Sequence, residues 1–482
     1  MAKSFTKNDP AINMTMVGFG QAGTRMADEF AKFRKEDGQP VYNCLALNSN
    51  DGDLDGLVHI PPANRVSLQL GGLGKNPEVA MSVLEKNEQA KEKLKQFIHQ
   101  RVRPQDDLVL FFAGLGGGTG TSTIVKAIEE FFEYSNKPLI QEEFKKLVEE
   151  IGVAEIKKDQ RKYQKLAFRR AEKKFVKIGV VVTLPLRADG PDALRQVNTF
   201  ADKIWSLAKN PAKGIAFVIF ADNQHFYDEF KNLPDNQKVE IDNYRDYGNV
   251  KIAEAIHELN TATTGGGTSV TFDSADFRRI VLEHNGSLVI NKITKSSKNI
   301  KNGDDIKDMF VSSMKGSILH QPIQLQNEDG STQKVHHLGL LAVLDQSNKV
   351  GSSFIDDARV EIASTLPLTG TVFTGYLEEK NDFSVSAYTF YKAEALPDRL
   401  AVGLEKEYKD FMERQSSVKY VAAGISTIDT DEDDGFDDDF DFSELGIGLD
   451  DEELQDFPDD QNDDTLEDLD ISNIDFSILD ED

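Results

Sequence analysis

The clearest chemical potential lies in residues 113–122, which read Ala-Gly-Leu-Gly-Gly-Gly-Thr-Gly-Thr-Ser and follow directly on the apolar run 108–112. Gly114, Gly116, Gly117, Gly118 and Gly120 let the backbone reach positive φ and bring its N–H groups close to a ligand. The helical pattern behind them adds the positive end of its dipole at the same point. With the hydroxyls of Thr119 and Thr121 this makes a phosphate cradle. It lacks a Walker lysine, since nothing in the chain reads G-x-x-x-x-G-K-[ST]. Phosphate charge would then be met by backbone N–H groups, hydroxyls and a metal ion, with no direct side-chain metal cluster evident.

Two further loops have the same setting. Gly18, Gly20 and Gly23, with Gln21 and Ala22 between them, spell the dinucleotide fingerprint G-x-G-x-x-G. That reading wants an acidic residue ending the second strand, where the chain carries Asn48, Ser49 and Asn50, with Asp51 and Asp53 beyond. A dinucleotide site also has no need for the richer glycine loop at 114–120. The third loop holds Gly71, Gly72 and Gly74, then Asn76 and Pro77, a helix cap and first-turn proline. Three such loops would converge at the C-terminal edge of one parallel sheet, where open α/β sheets bind ligands.

The elements that must position these loops follow from periodicity. Apolar runs at 14–19, 42–47, 108–112, 178–183 and 214–220 alternate with helical patterns at 22–33, 77–100, 121–132 and 192–209. That alternation predicts an α/β fold with a parallel sheet. Residues 134–177 break the rhythm. Phe144, Leu147, Val148 and Ile151 share one helical face, and 157–177 holds ten basic residues against two acidic ones, predicting a helical insertion. A solvated helical hairpin with ordinary surface charge is the favoured account of its basic residues. A connecting helix is expected over 250–260. Apolar runs at 287–290, 337–344, 370–377 and 383–391 predict a small mixed sheet, and 397–415 a last helix opened by Pro397.

Length and charge bound the rest. The 482 residues suit two or three domains. The net charge of −28 is localised, because 26 of the 83 acidic residues lie in 429–482, which has no Lys or Arg. The other 57 acidic residues face 55 basic ones, so the body is near neutral. No apolar run is long enough to span a membrane, the start has no secretory pattern, and Cys44 is the lone cysteine. A reducing cytoplasm is the expected location.

With these motifs in place, the chain over about residues 12–400 resembles the tubulin/FtsZ superfamily, closest to plasmid and phage members. The loop from Gly116 to Thr121 matches that family's glycine-rich signature, which wraps nucleotide phosphates. Gly72 and Gly74 followed by Asn76 resemble the FtsZ loop, and Gly20-Gln21-Ala22-Gly23 the first phosphate loop of tubulin. Asn48 is placed with them in the nucleotide pocket. Asn223 resembles the asparagine that contacts guanine, and Asp189, after Thr183 and Pro185, the ribose-facing acid. Tyr244 and Asn249 resemble the stacking aromatic and the polar reader, with Tyr247 competing to stack.

The resemblance implies GTP and GDP as ligands, Mg²⁺ as the metal, and hydrolysis of GTP to GDP and phosphate. The catalytic pair would be Asp273 and Asp276, within a stretch like the family's N-x-D-x-x-D that enters the pocket of the next subunit. Taken alone, that spacing is also a helix N-cap with an acidic first turn. Thr271 stands where FtsZ has asparagine, which weighs against a cell-division role. The implied organisation is a Rossmann-like GTP-binding domain at 12–249, a connecting helix and catalytic-loop lead-in at 250–271, a smaller α+β domain at 272–415, and an acidic tail at 420–482.

The tail is too acidic to form a core and is expected to be disordered alone. Its two aromatic-aliphatic clusters, around Phe442 and Phe476, suit short docking motifs as well as a solubilising tail. Candidate partners are the basic 157–177 segment of an adjacent subunit, or a DNA-bound adaptor. Direct nucleic-acid contact is not expected, since phosphates would repel the tail. The expected function is a head-to-tail, self-assembling GTPase whose filament segregates or positions plasmid or phage DNA. A cell-division scaffold is the alternative.

Overall fold

The computed structural model describes residues 5–6, 9–101, 106–234, 238, 241–262, 272–320, 323, 325, 330–347, 350–380 and 383–418. Thr271 and the acidic segment, with the disorder and docking expected of it, lie outside the described residues.

Ten strands make one continuous sheet. In chain order they are β1 (Met14–Phe19), β2 (Asn43–Asn48), β3 (Arg65–Ser67), β4 (Leu108–Gly114), β5 (Lys177–Leu184), β6 (Ile215–Asp222), β7 (Ser287–Ser296), β8 (Val335–Asp345), β9 (Val372–Lys380) and β10 (Ser384–Ala393). The first six run parallel in the order β3-β2-β1-β4-β5-β6. Their near-continuous apolar sequences, such as Leu-Val-Leu-Phe-Phe in β4, suit strands covered by helices on both faces. The remaining four form the expected mixed sheet, β9-β8-β10-β7, joined to β6 by the single pairing of Val218 with Ser287.

The strand order reverses between β1 and β4, so the connections leave in opposite directions and open a crevice at the strands' C-terminal ends. The glycine loops after both strands sit there. The helix Tyr244–Ala262 runs from this edge towards the other, burying Ile252, Ala253, Ile256 and Leu259. These side chains join one core with Phe217 and Phe226 of the first half and with Phe277, Leu288 and Phe390 of the second. At 1.5 Å per residue, this helix spans about 28 Å.

Three expectations are corrected. The connecting helix starts at Tyr244 rather than 250, because the Asn243 side chain accepts the N–H groups of Arg245 and Asp246 and caps it there. The helix expected over 77–100 is two, Pro77–Lys86 and Glu88–Arg101, with Asn87 Oδ1 capping the second through Ala90 N. The last helix is Leu404–Ser416 and is preceded by a π turn at Arg399–Gly403.

The 134–177 segment is helical, with Lys137–Ile151 packed on Gln160–Ala171 around Phe144, Leu147, Val148, Ala167 and Phe168, a core separate from the sheet's. Several of its basic residues pair internally, Arg170 with Glu150 at 3.1 Å and Lys174 with Glu143 at 2.7 Å. Among the described residues, no helix is long and apolar enough to cross a membrane.

Candidate functional site

The C-terminal edge of the parallel strands surrounds a cleft of about 530 Å³, a size suited to a nucleotide-sized ligand. Its floor is Gly114, Gly116, Gly117, Gly118, Thr119 and Gly120. The helix Gly118–Phe131 opens there with Gly117 at its N-cap and no side-chain cap, leaving first-turn N–H groups for a ligand. The helix Gly20–Phe30 begins beside it, also without a side-chain cap, and Gln21 and Ala22 line the cleft. Two helix N-termini on one crevice favour bound negative charge.

Close contacts fix these loops to one another. Gly20 has φ +65°, and a Cβ there would lie 2.6 Å from Gly120 N. A Cβ on Gly118 would lie 2.6 Å from Gly74 O, the carbonyl to which Gly118 N donates at 3.1 Å. Thr119 Oγ1 donates to Ser49 Oγ at 2.9 Å, joining the cradle to the end of β2. Asn48 Nδ2 donates to Asp53 Oδ2 at 2.9 Å, and Asn48, Ser49, Asn50 and Asp53 all line the cleft. Such hard oxygen donors beside the glycine loop suit Mg²⁺, which binds through few protein oxygens plus phosphate.

The far end of the cleft suits a planar ring. Tyr244, Arg245 and Asn249, on the first turns of the connecting helix, face Asn223, with Thr183, Pro185 and Asp189 alongside. Tyr244 packs edge-on against Tyr227 at 5.6 Å, and the Arg245 guanidinium sits 4.7 Å over its ring. Partial burial pushes the Tyr244 phenol up, so it stays neutral. Tyr247, the competing aromatic, is buried, donates to Glu229 Oε2 at 3.1 Å and does not line the cleft.

Four of the expected contacts stand behind the lining. Gly20 is the crossing point just described. Gly23 packs where a Cβ would lie 2.1 Å from Phe112 O. Asn76 accepts from Glu78 N and Val79 N at 3.1 Å each, capping Pro77–Lys86. Thr121 Oγ1 turns back to Gly114 O at 3.1 Å. Conversely, Lys75, Arg25 and Arg245 line the cleft unanticipated. Lys75 directly follows a glycine of a recognised loop, which was a usable signal; Arg25 and Arg245 carried none.

Asp273 and Asp276 are elsewhere. Asp273 Oδ1 accepts from Asp276 N at 2.9 Å and caps the helix Ser274–Leu282. Arg278 of that helix reaches Asp107, the residue before β4, so the pair lies at the N-terminal edge of the sheet. Burial and then the Asp273 charge push the Asp276 carboxyl up. One chain thus carries a glycine cradle on one edge and a carboxylate pair on the other, with the connecting helix between them.

Among the described residues, one His/Glu group could approach a metal, Glu283 with His284 and His337. His337 Nδ1 accepts Thr371 N at 2.9 Å, which leaves Nε2 carrying its proton towards Glu283 rather than a lone pair for a metal.

No family model matches the chain. It is 24% identical over 294 residues to the tubulin-like protein TubZ of Bacillus cereus, covering 58% of this chain and 56% of that protein. The chain thus spans about half the length of the curated relatives it matches. A solved structure of a type III plasmid segregation TubZ superposes with a TM-score of 0.61 at 19% identity, over 86% of this chain and 95% of that one. A GTPγS-bound protofilament of CetZ2 from Haloferax volcanii gives 0.57 at 13% identity, over 84% and 100%.

Proposed function

We propose, from the premise that this chain belongs to the tubulin/FtsZ superfamily close to the TubZ type, that it is a GTPase assembling head to tail into filaments. In this reading residues 12–249 bind the nucleotide and 272–415 present the catalytic edge to the next copy. The observation that carries it is the separation of the glycine cradle from Asp273 and Asp276 on opposite edges of one sheet. A carboxylate pair too distant to act within its own chain can act on the cradle of a copy stacked end on end. Such a heterologous contact repeats without closing and leaves an open filament.

The residues divide the work. The backbone of the 116–120 loop, through N–H groups other than those of Gly117 and Gly118, and the two helix N-termini hold phosphate, with Thr119, Ser49, Asn48 and Asp53 as oxygen donors towards Mg²⁺. Mg²⁺, when bound, neutralises developing phosphate charge. Tyr244 stacks on guanine, Asn223 and Asn249 read its edge, and Asp189 faces the ribose. Asp273 and Asp276 orient water opposite the γ-phosphate of the neighbouring site. The filament would position plasmid or phage DNA through an adaptor in a bacterial cytoplasm. The plasmid-segregation relative supports that reading.

GTPase rate against protein concentration tests the shared site. A threshold followed by a steep rise is expected. Simple proportionality down to the lowest concentration would mean a self-contained site and would overturn the proposal.

A further inference from the structure

The last described helix, Leu404–Ser416, is remote in sequence from every pocket loop, yet it is tied to two of them through one buried guanidinium. Arg399 is 4% exposed. Its Nη1 donates to Asp222 Oδ1 at 2.5 Å and to Pro185 O at 2.7 Å. Its Nε and Nη2 fork onto Glu407, at 3.1 and 3.0 Å, one helical turn into the last helix.

Both pocket-side partners matter. Asp222 ends β6 and caps the helix Asn223–Asn232 by accepting Gln224 N at 2.9 Å, so it sets where Asn223 stands in the cleft. Pro185 lines the cleft itself and leads to Asp189. Glu407 Oε1 also accepts from Arg187 Nε at 2.9 Å, and Arg187 N donates to Gln224 Oε1 at 3.1 Å. The 185–189 loop and the Asp222–Asn223 junction are therefore clamped to one another and to the last helix by Arg399, Arg187 and Glu407.

Apolar packing would stabilise this junction at least as well as an ion pair shut away from water. What a fork supplies that apolar contact does not is direction, because a guanidinium fixes its acceptors in one plane. The π turn at Arg399–Gly403 marks where the helical register is altered around this side chain, a feature frequent at functional sites.

We infer that Arg399, held by Glu407, is a positioning residue for the base-and-ribose end of the cleft, setting Asn223 and the Pro185–Asp189 loop so that the site distinguishes a guanine. This rests on the guanine-nucleotide reading of the cleft. Arg399 does not line the cleft; it acts through Asp222 and Pro185.

The test measures dissociation constants of the full chain, at concentrations too low for assembly, for GDP, IDP and tripolyphosphate. IDP lacks the 2-amino group of guanine, and tripolyphosphate occupies the phosphate end alone. Arg399→Lys keeps the charge but not the fork. Glu407→Gln releases the fork without emptying the buried site. Both variants are expected to weaken GDP by about tenfold and to shrink the preference for GDP over IDP, while tripolyphosphate binds as before. Unchanged GDP affinity and preference in both variants would overturn the role of Arg399, as would equal weakening of all three ligands. If the unaltered protein binds neither GDP nor GTP, the guanine-nucleotide reading falls and this inference with it.

Discussion

Arg278 forks onto Asp107 with Nη1–Oδ2 and Nη2–Oδ1 both at 2.8 Å, pinning the helix that carries Asp273 and Asp276 to the residue before β4. The same guanidinium reaches Ala11 O at 3.2 Å, and Asp107 also accepts Asn13 N at 3.0 Å. Burial alone would raise the Asp107 carboxyl, but the Arg278 fork and the Asn13 N–H outweigh it and hold it low. The pair is partly exposed, so its worth to stability is about 1 kcal/mol or less after solvent screening. On the proposed reading, its larger effect is to aim the carboxylate pair. Arg278→Met is expected to leave monomer GTP affinity unchanged and to lower assembled-state turnover by roughly ten- to hundredfold. Wild-type turnover in filaments of the variant would show that the fork does not aim the pair.

Asp273→Ala or Asp276→Ala should preserve GTP binding and assembly and cut hydrolysis by about a hundredfold or more, leaving stable filaments. Asp273 needs a further control, because it also caps its helix and losing the cap costs about 1 kcal/mol. Asp273→Ser keeps a capping oxygen without a carboxylate. It should remain as inactive as alanine; recovery of turnover in serine would assign Asp273 to capping rather than chemistry.

The cleft was legible wherever local chemistry had to recur at a strand end. Gly18, Gly20, Gly23, Gly118 and Gly120 are small because backbone groups cross within contact distance there, and such crossings leave a mark in the chain itself. Tyr244 and Asn249 line the cleft, on a helix that starts six residues before the expected 250 because Asn243 caps it there. The clamps were not legible. Arg399 and Asp222 are 177 residues apart, and Arg278 and Asp107 are 171 apart. Nothing in either member's neighbours marks a partner, since an ion pair between elements is set by how helices pack on the sheet. The same limit hid Arg25 and Arg245, ordinary helix residues until the fold turns them to the crevice.

Gly20 and Gly71 share a left-handed backbone, φ +65° and +69°, but differ in surroundings. A Cβ on Gly71 meets nothing within 4 Å, whereas one on Gly20 would strike Gly120 N. Gly71→Ala therefore carries backbone strain alone, about 1 kcal/mol, and should bind GDP nearly as the parent does. Gly20→Ala adds a collision that must displace the glycine loop at Gly120, so on the proposed reading GDP affinity should fall by about tenfold or more for a loss of one to two hydrogen bonds. Isothermal calorimetry on both variants, with thermal melts as the control, separates strain from displacement. Equal affinities would refute the loop-crossing account.

His257 supplies a pH signature of the fold itself. Its ring stacks on Phe33 at 3.7 Å, and its Nδ1 lies 3.0 Å from Tyr42 Oη, which also receives Asn260 Nδ2 at 3.4 Å. Burial lowers its pKa from 6.5 to about 4, with the Glu258 charge a weaker opposing influence. The unfolded chain therefore binds a proton near pH 6.5 that the folded one refuses until about pH 4. The stability tied to a neutral His257 is complete above the unfolded value and drains away as the pH falls towards the folded one, by about 3 kcal/mol at the end. Other acidic groups titrate over the same interval, so the comparison must be internal. His257→Gln keeps an acceptor for Tyr42 and cannot titrate. Urea unfolding from pH 7 to 4 should show the parent losing about 3 kcal/mol more than the variant. Matching slopes would mean that His257 accepts a proton without leaving the core.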